Sequence, residues 1–129
     1  MITFAILALL SMSNAHPQPS ISELNTVPEN YDGKTVTVTG WVVLGAESRY
    51  IVSQKRGYTT WKKGATCLSV INGRGLDARE DEFNGKKVRL TGIVRADADK
   101  DGSVRLAMCS GTGLDLESQP VEGKIEIIN

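Results

Sequence analysis

One stretch of the sequence occurs twice, and it constrains the fold more than any other feature. Residues 31–43 read YDGKTVTVTGWVV, and residues 83–95 read FNGKKVRLTGIVR. Each copy has an Asp-Gly or Asn-Gly pair, which favours a turn because Gly accepts positive φ and Asx side chains bond nearby backbone. Aliphatic and other residues then alternate, which is the period of a half-buried strand. The repeat therefore predicts two strands of the same design.

Gly40 and Gly92 occupy the same position in the two copies, in the middle of each predicted strand. Glycine weakens a strand interior unless the strand bends, forms a bulge or approaches another backbone closely. Two long strands bent around glycine predict a small, strongly curved β-barrel. The repeat is explained by an ancient duplication or, more simply, by two strands that meet the same geometric demand.

The remaining elements are short. Residues 20–23 fit a capping box and predict a helix at residues 21–25, whose Ile21 and Leu24 would plug one end of the barrel. Residues 76–83 are predicted to form a helix or a loop between the third and fourth strands. Strands are predicted at residues 35–46, 50–54, 65–71, 86–96 and 104–109, with a resumption at 114–116 and an added edge strand at 124–128.

This order of elements is that of the five-stranded OB barrel. Residues 32–42, DGKTVTVTGWV, resemble the opening strand of the anticodon-binding OB domain of class II aminoacyl-tRNA synthetases. The lead-in at residues 21–34 resembles small exported bacterial OB-fold proteins. The resemblance implies an all-β fold with small helices: a five-stranded OB-fold-type barrel, a short N-terminal helix, and a helix or loop between strands 3 and 4.

The departures from these families are also informative. No synthetase catalytic domain follows the matching strand, so charging of tRNA is not expected. Exported OB-fold heme chaperones attach heme through a His near a Tyr after the last strand. This sequence has no His there, so heme carriage is not expected either.

The first 15 residues predict a signal peptide. Residues 2–10 are apolar but too few to span a bilayer as a helix, and residues 13–15 place small side chains where a signal peptidase reads them. We expect cleavage after Ala15, which would leave residues 16–129 as a single OB-fold domain of a periplasmic or secreted protein. An uncleaved anchor is the alternative. No other segment is apolar enough to span a membrane.

Charge and histidine content narrow the function classes. The 15 Lys and Arg residues balance the 15 Asp and Glu residues, so net charge gives no global attraction to nucleic acid or anionic membrane. A His-based triad, a zinc-type cluster or a His general base would have only His16 to draw on. We therefore expect a protein that is not an enzyme and that uses no cofactor or metal.

Residues 49–63 combine cations with aromatic rings and contain no Asp or Glu. Grooves for single-stranded nucleic acid use this mixture, because cations follow the phosphates and rings stack on bases. Aromatic faces also bind sugars, and OB barrels bind oligonucleotides or oligosaccharides across strands two and three. The predicted ligand-binding residues are Trp41, Arg49, Tyr50, Lys55, Arg56, Tyr58, Trp61, Lys62 and Lys63.

The predicted partner is accordingly a single-stranded nucleic acid or an anionic glycan. The alternative is that the same residues form a solvated hairpin loop with Trp61 over the barrel edge. The protein would then be an interaction or structural module of the cell envelope, with an envelope protein as its partner and no small ligand. Export argues against routine contact with nucleic acid, which is scarce outside the cytoplasm.

The chain has two cysteines, Cys67 and Cys109. Two cysteines in an exported chain usually pair. Strands three and five lie side by side in an OB barrel, which would bring these two within bridging reach. We predict a structural disulfide. Free thiols and redox catalysis are the alternatives, and catalysis is disfavoured because no C-x-x-C motif is present.

Overall fold

The chain forms a closed barrel of five strands, and a sixth strand is added at one edge. The computed structural model describes residues 16–60, 63–98, 109–117 and 121–129. The strands are β1 (Thr35–Gly45), β2 (Ser48–Val52), β3 (Cys67–Ile71), β4 (Lys87–Arg95), β5 (Gly113–Asp115) and β6 (Ile125–Ile127). Their order is β1-β2-β3-β5-β4-β6, and pairing of β1 with β4 closes the barrel.

The pairings are antiparallel except for that of β3 with β5, which is parallel. The predicted all-β barrel with small helices is confirmed, and its topology is compatible with an OB-like fold. The predicted signal peptide lies outside the described residues. So does most of the strand predicted at residues 104–109. The fifth barrel strand is Gly113–Asp115, where the sequence indicated only a resumption.

The helices are short. They are α1 (Ile21–Thr26), a 3-10 turn (Pro28–Asn30), α2 (Arg74–Asp77) and α3 (Glu80–Phe83). The capping box is half formed: the Ser20 hydroxyl accepts from the backbone N–H of Glu23 at 3.0 Å, while the Glu23 carboxylate accepts from the Tyr31 hydroxyl instead. Between β3 and β4, the expected single helix is divided into α2 and α3, which bury Leu76 and Phe83 respectively.

The core lies inside the barrel and is closed at one end by α1. Alternate residues of β1 and β4 point inward, as the period-2 pattern predicts. Ile21 and Leu24 of α1 join this core and are almost fully buried. The Asn25 side chain donates to the carbonyls of Ala65 and Cys67, at 2.8 and 2.9 Å, and so ties the helix to the start of β3. The predicted end plug is confirmed.

The two copies of the repeat pair with each other. Val38 of β1 lies opposite Leu90 of β4, and these two residues are equivalent in the repeat. Pairs on either side are therefore related by exchange: Thr37 faces Thr91, and Thr39 faces Arg89. The β1–β4 ribbon thus has a local twofold pseudosymmetry centred on Val38 and Leu90.

Each copy's entry turn binds the far end of the other copy. In the first turn, the Gly33 N–H donates to the carbonyl of Val94, and the Val94 N–H donates to the carbonyl of Lys34, at 2.8 and 2.9 Å. In the second turn, the Gly85 N–H donates to the carbonyl of Val42, and the Val42 N–H donates to the carbonyl of Lys86, at 2.8 and 3.0 Å. Gly33 and Gly85 both have positive φ, which explains the glycine of each Asx-Gly pair.

The mid-strand glycines allow close approach of a neighbouring strand. A Cβ at Gly40 would lie 2.5 Å from the carbonyl oxygen of Val52 on β2. A Cβ at Gly92 would lie 2.8 Å from the carbonyl oxygen of Asp115 on β5. Each long strand changes neighbours near its glycine. β1 pairs with β4 up to Trp41 and with β2 from Trp41 onward, while β4 pairs with β6 before Gly92 and with β5 after it.

Candidate functional site

Trp41 marks the point where β1 passes from one neighbour to the other. It lies opposite Lys87 of β4 on one side and opposite Val52 of β2 on the other. Its neighbours Gly40 and Val42 are buried, so Trp41 itself projects from the outer surface of the barrel, where it is half-buried. The outer surface formed by Trp41, Val43, Tyr50 and Lys87 is called the Trp41 surface below.

Lys87 places its ammonium group over the Trp41 ring. The Nζ atom lies 5.0 Å from the ring centroid, within the range of a cation–π interaction. Lys87 was not among the residues predicted from the sequence. The repeat identifies Lys87 only once the register is known, because antiparallel pairing centred on Val38 and Leu90 sets residue 41 opposite residue 87.

A disulfide supports the Trp41 surface from below. Cys67 of β3 and Cys109 are bonded, with their Cα atoms 5.9 Å apart, and so the predicted disulfide is confirmed. With Val52 they form a second buried cluster, outside the barrel core, against which Trp41, Val43 and Tyr50 pack. The Ser69 hydroxyl accepts from the Cys109 N–H at 2.9 Å and fixes the residues before β5 on the outer side of β3.

The structure separates two predicted site residues that are adjacent in sequence. Tyr50 projects outward with Trp41, whereas Arg49 lies on the opposite side of β2, the side of the core residue Ile51. The Arg49 guanidinium pairs with the Asp77 carboxylate on α2, with Nε 3.1 Å from Oδ1. Arg49 therefore links β2 to the helical segment and does not contribute to the Trp41 surface.

The β2–β3 connection carries the other predicted cations and a tyrosine. Lys55, Arg56 and Lys63 are exposed, and Tyr58 is 37% exposed. The part of this connection nearer β3 is held by Thr59 and Thr66, whose side chains and backbones form hydrogen bonds with each other at 2.8 to 3.3 Å. Trp61 and Lys62 lie outside the described residues.

A second polar arrangement lies on the outer side of β3, β4 and β5. The Asp115 side chain, 9% exposed, accepts from Asn72 at 2.8 Å, from the Glu117 N–H at 2.7 Å and from Arg95 at 3.1 Å. Burial of this carboxyl by itself would raise its pKa, but the three donors together hold the pKa below its ordinary value. The Asp115 carboxylate and the Arg95 guanidinium neutralise each other, which favours a structural role for these residues.

A shallow groove lies over the centre of the β1–β4 ribbon. Its volume is about 450 Å³, and its floor includes Thr37 and Thr91, whose hydroxyls are 2.8 Å apart. His16, Arg89 and residues 123–126 form its sides. In the described ranges, no three His, Cys, Asp or Glu side chains are placed to hold a metal ion.

Comparison with protein-family models and with curated proteins finds no match to this chain. Among the described residues, none of the helices has the length and apolar character needed to cross a membrane.

Proposed function

We propose that the protein is an exported binding module that takes an anionic or sugar-containing oligomer across the Trp41 surface and the adjoining β2–β3 connection. The observation that carries the proposal is the pairing of a half-exposed Trp41 ring with the Lys87 ammonium on one surface. Lys55, Arg56 and Tyr58 extend the same chemistry from the end of β2. Cations and aromatic rings together suit an oligomer whose anionic groups alternate with flat, stackable faces.

The pseudosymmetry of the ribbon allows the Trp41–Lys87 pair to be compared with an equivalent pair elsewhere in the same ribbon. Ile93 and Thr35 are equivalent in the repeat to Trp41 and Lys87, and they also lie opposite each other. The barrel is thus built at the equivalent point without an aromatic ring and without a cation. Since neither is needed for strand pairing there, the Trp41–Lys87 pair supports a role in binding.

Export is supported by two features. The disulfide between Cys67 and Cys109 is typical of oxidising compartments. The apolar first residues of the sequence have the pattern of a signal peptide. Nucleic acid is scarce in such compartments, which favours a glycan over an oligonucleotide. We propose binding without catalysis, because the Trp41 surface joins rings and cations and contains no paired nucleophile and base.

The second candidate function is a protein-interaction module of the cell envelope. Strand β6 stands last in the sheet order, and its Ile127 is 41% exposed. An apolar residue on an edge strand is suited to pairing with a strand of another protein. This function would use the edge of β6 that faces away from β4, and so the two candidates predict different sensitive residues.

Binding to defined polyanions at low salt tests the first candidate. We expect the protein to bind an acidic oligosaccharide or a single-stranded oligonucleotide at about 50 mM salt, and to bind more weakly as salt rises, because each contact releases a counterion. Lys55→Ala with Arg56→Ala should weaken binding about tenfold. Lys34→Ala with Arg74→Ala removes two exposed cations elsewhere and should leave binding unchanged.

The outcomes separate the candidates. If no acidic oligosaccharide and no oligonucleotide binds at this salt concentration, the Trp41 surface is not a polyanion site and the proposal fails. If both double variants lose the same affinity, the binding depends only on overall charge, which also contradicts the proposal. Ile127→Asp should bind the acidic oligosaccharide and the oligonucleotide like the unchanged protein. Under the second candidate function, this variant should lose its envelope partner.

A further inference from the structure

We infer that Lys87 is the residue that contacts the ligand's anionic group, and that Trp41 is a positioning residue that holds the Lys87 ammonium in place. The ligand class is an acidic glycan, whose carboxylate or sulfate would bind at Lys87. This inference rests on the proposed function and specifies which atoms of the Trp41 surface meet the ligand.

The ring of Trp41 is already engaged by this protein's own residues. Part of it packs against Val52 and the disulfide, and the Lys87 ammonium lies over the ring at 5.0 Å from its centroid. A base or pyranose that stacked on this ring would first have to displace Lys87. A ligand that approaches the undisturbed surface meets the ammonium instead. The geometry therefore favours an ionic contact over a stacking contact at this position.

The outward cations of β4 differ in their partners. Arg89 is 3.5 Å from the Glu126 carboxylate, and Arg95 is 3.1 Å from the Asp115 carboxylate. In the part of the chain that the structure describes, no carboxylate lies within 4.0 Å of the Lys87 ammonium. A ring attracts a cation without neutralising it or occupying its donors as a carboxylate would. Lys87 is thus held in place and still able to bind an anion.

The choice between anionic polymers follows from the same contacts. Nonspecific binding of single-stranded nucleic acid depends on rings that stack on bases, and here the most central ring carries a lysine. An acidic glycan requires only that a cation meet its carboxylate or sulfate oxygens, which the lysine ammonium does as a point charge. Binding should therefore follow the charge of the glycan more closely than its number of rings.

The test uses the full chain with a short polygalacturonate and the same oligomer with its carboxyls methyl-esterified. Binding is measured by calorimetry at several salt concentrations, and thermal melts verify that each variant is folded. Lys87→Gln should weaken binding of the acid by about tenfold or more and flatten the salt dependence. Arg89→Gln is the matched control, a neighbouring outward cation with a carboxylate partner, and it should bind like the unchanged protein.

Two variants of Trp41 test the positioning role. Trp41→Phe keeps an aromatic face for the ammonium and should retain most of the affinity and salt dependence. Trp41→Leu keeps an apolar side chain on the disulfide but removes that face, and it should resemble Lys87→Gln in both measurements. A merely structural role of Trp41 would change the melting temperature and leave the salt dependence as it was.

Each alternative outcome is decisive. If Lys87→Gln binds like the unchanged protein while Lys55→Ala with Arg56→Ala does not, the binding module stands and this inference fails. If the methyl ester binds as tightly as the acid, or an oligonucleotide binds more tightly than either, the ligand class is wrong. If the unchanged protein binds none of the three, the proposed function fails as well.

Discussion

The two copies of the repeat, residues 31–43 and 83–95, have the same role in the backbone but differ in what covers their outer sides. Outside the first copy, Trp41 lies between a lysine and a disulfide-bonded cluster and remains half-exposed. Outside the second, the equivalent Ile93 lies opposite Asp115, whose carboxylate is bonded to Asn72 and Arg95.

This contrast shows how one scaffold divides its tasks. The features common to both copies are those that the barrel requires: the Asx-Gly turn, the inward aliphatic residues and the mid-strand glycine. The strand residues that change in chemical type are outward: Thr35 and Lys87, Thr37 and Arg89, Trp41 and Ile93, and Val43 and Arg95. On the outer side of the second copy, the Asp115 carboxylate accepts three hydrogen bonds. On the outer side of the first copy, the Trp41 ring lies beside the Lys87 ammonium, which has no carboxylate partner among the described residues. The shared part builds the fold, and the part that differs includes the proposed binding surface.

The largest expected effect comes from removing the covalent support that only the first copy has. Replacing both cysteines, Cys67→Ala with Cys109→Ala, should lower the free energy of unfolding by about 2–5 kcal/mol, because the unfolded chain loses a cross-link across 42 residues. Urea denaturation of the variant beside the oxidised and reduced protein measures this. Thiol labelling of the native protein without reductant should modify neither cysteine. A loss below about 1 kcal/mol would contradict the support role.

The glycine pair tests how alike the two copies are. Gly40→Ala and Gly92→Ala should each destabilise by about 1–3 kcal/mol, because the new Cβ would press on a neighbouring strand's carbonyl. The loss should be greater at Gly40, where the oxygen would be 2.5 Å away instead of 2.8 Å. Gly111→Ala is the control, since nothing lies within 4 Å of its Cβ position. Chemical denaturation gives the order, and a larger loss at Gly92 would show that the copies relax differently.

The entry turns provide a smaller and more symmetric comparison. The Asn84 carbonyl oxygen accepts from the Leu44 N–H at 2.8 Å, and the equivalent Asp32 carboxylate accepts from the Ala96 N–H at 2.9 Å. Replacing either by Ala should cost about 1 kcal/mol, with the greater loss at the less exposed Asn84 bond. Thermal melts of the two single variants measure this. A greater loss for Asp32→Ala than for Asn84→Ala would contradict the expectation that burial of the hydrogen bond sets the order.

The smallest effect concerns pH and the closed outer side of the second copy. The pKa of Asp115 is lower in the folded protein than its ordinary value, despite the burial that would raise it, because three donors bond the carboxylate. The associated stability is therefore present above the ordinary Asp pKa and is lost as pH falls through the lower folded value. Asp115→Asn should lose less stability on acidification than the unchanged protein does, as measured by denaturation at a series of acidic pH values.

The control for this effect is Glu126→Gln, which makes the same charge change at an ion pair that is mostly exposed. Its acid dependence should follow that of the unchanged protein, since exposed ion pairs contribute little. Identical acid curves for Asp115→Asn and the unchanged protein would mean that the bonded carboxylate does not stabilise the second copy.

Much of the fold was predictable because it is encoded locally. The turn glycines, the alternation in the long strands and the cap at Ser20 each report on a few adjacent residues. The disulfide was predicted from the barrel topology, which places strands three and five side by side. The edge strand near residues 124–128 also forms, as β6. The fifth barrel strand was harder, because three residues are too few to show a period of two.

The candidate site was less predictable than the fold. Tyr50 does project with Trp41, but Arg49 does not, because successive residues of a strand point to opposite sides and the phase of β2 is set by its partners. Lys87 was missed since it lies on β4, far from residues 49–63 in sequence. The break between α2 and α3 was also not predicted, as residues 76–83 contain no proline or glycine to signal it.

The sequence by itself determined the two bent strands and their turns, since glycine allows the positive φ or close approach that these points need, and Asx side chains bond the nearby backbone. It also determined the inward side of these two long strands, β1 and β4, through the alternation of aliphatic residues. Only the tertiary structure decided that the two copies pair about Val38 and Leu90, and so that Trp41 meets Lys87. The physical reason is that register depends on contacts between strands distant in sequence, and the proposed binding surface exists only where that register brings a ring and a cation together.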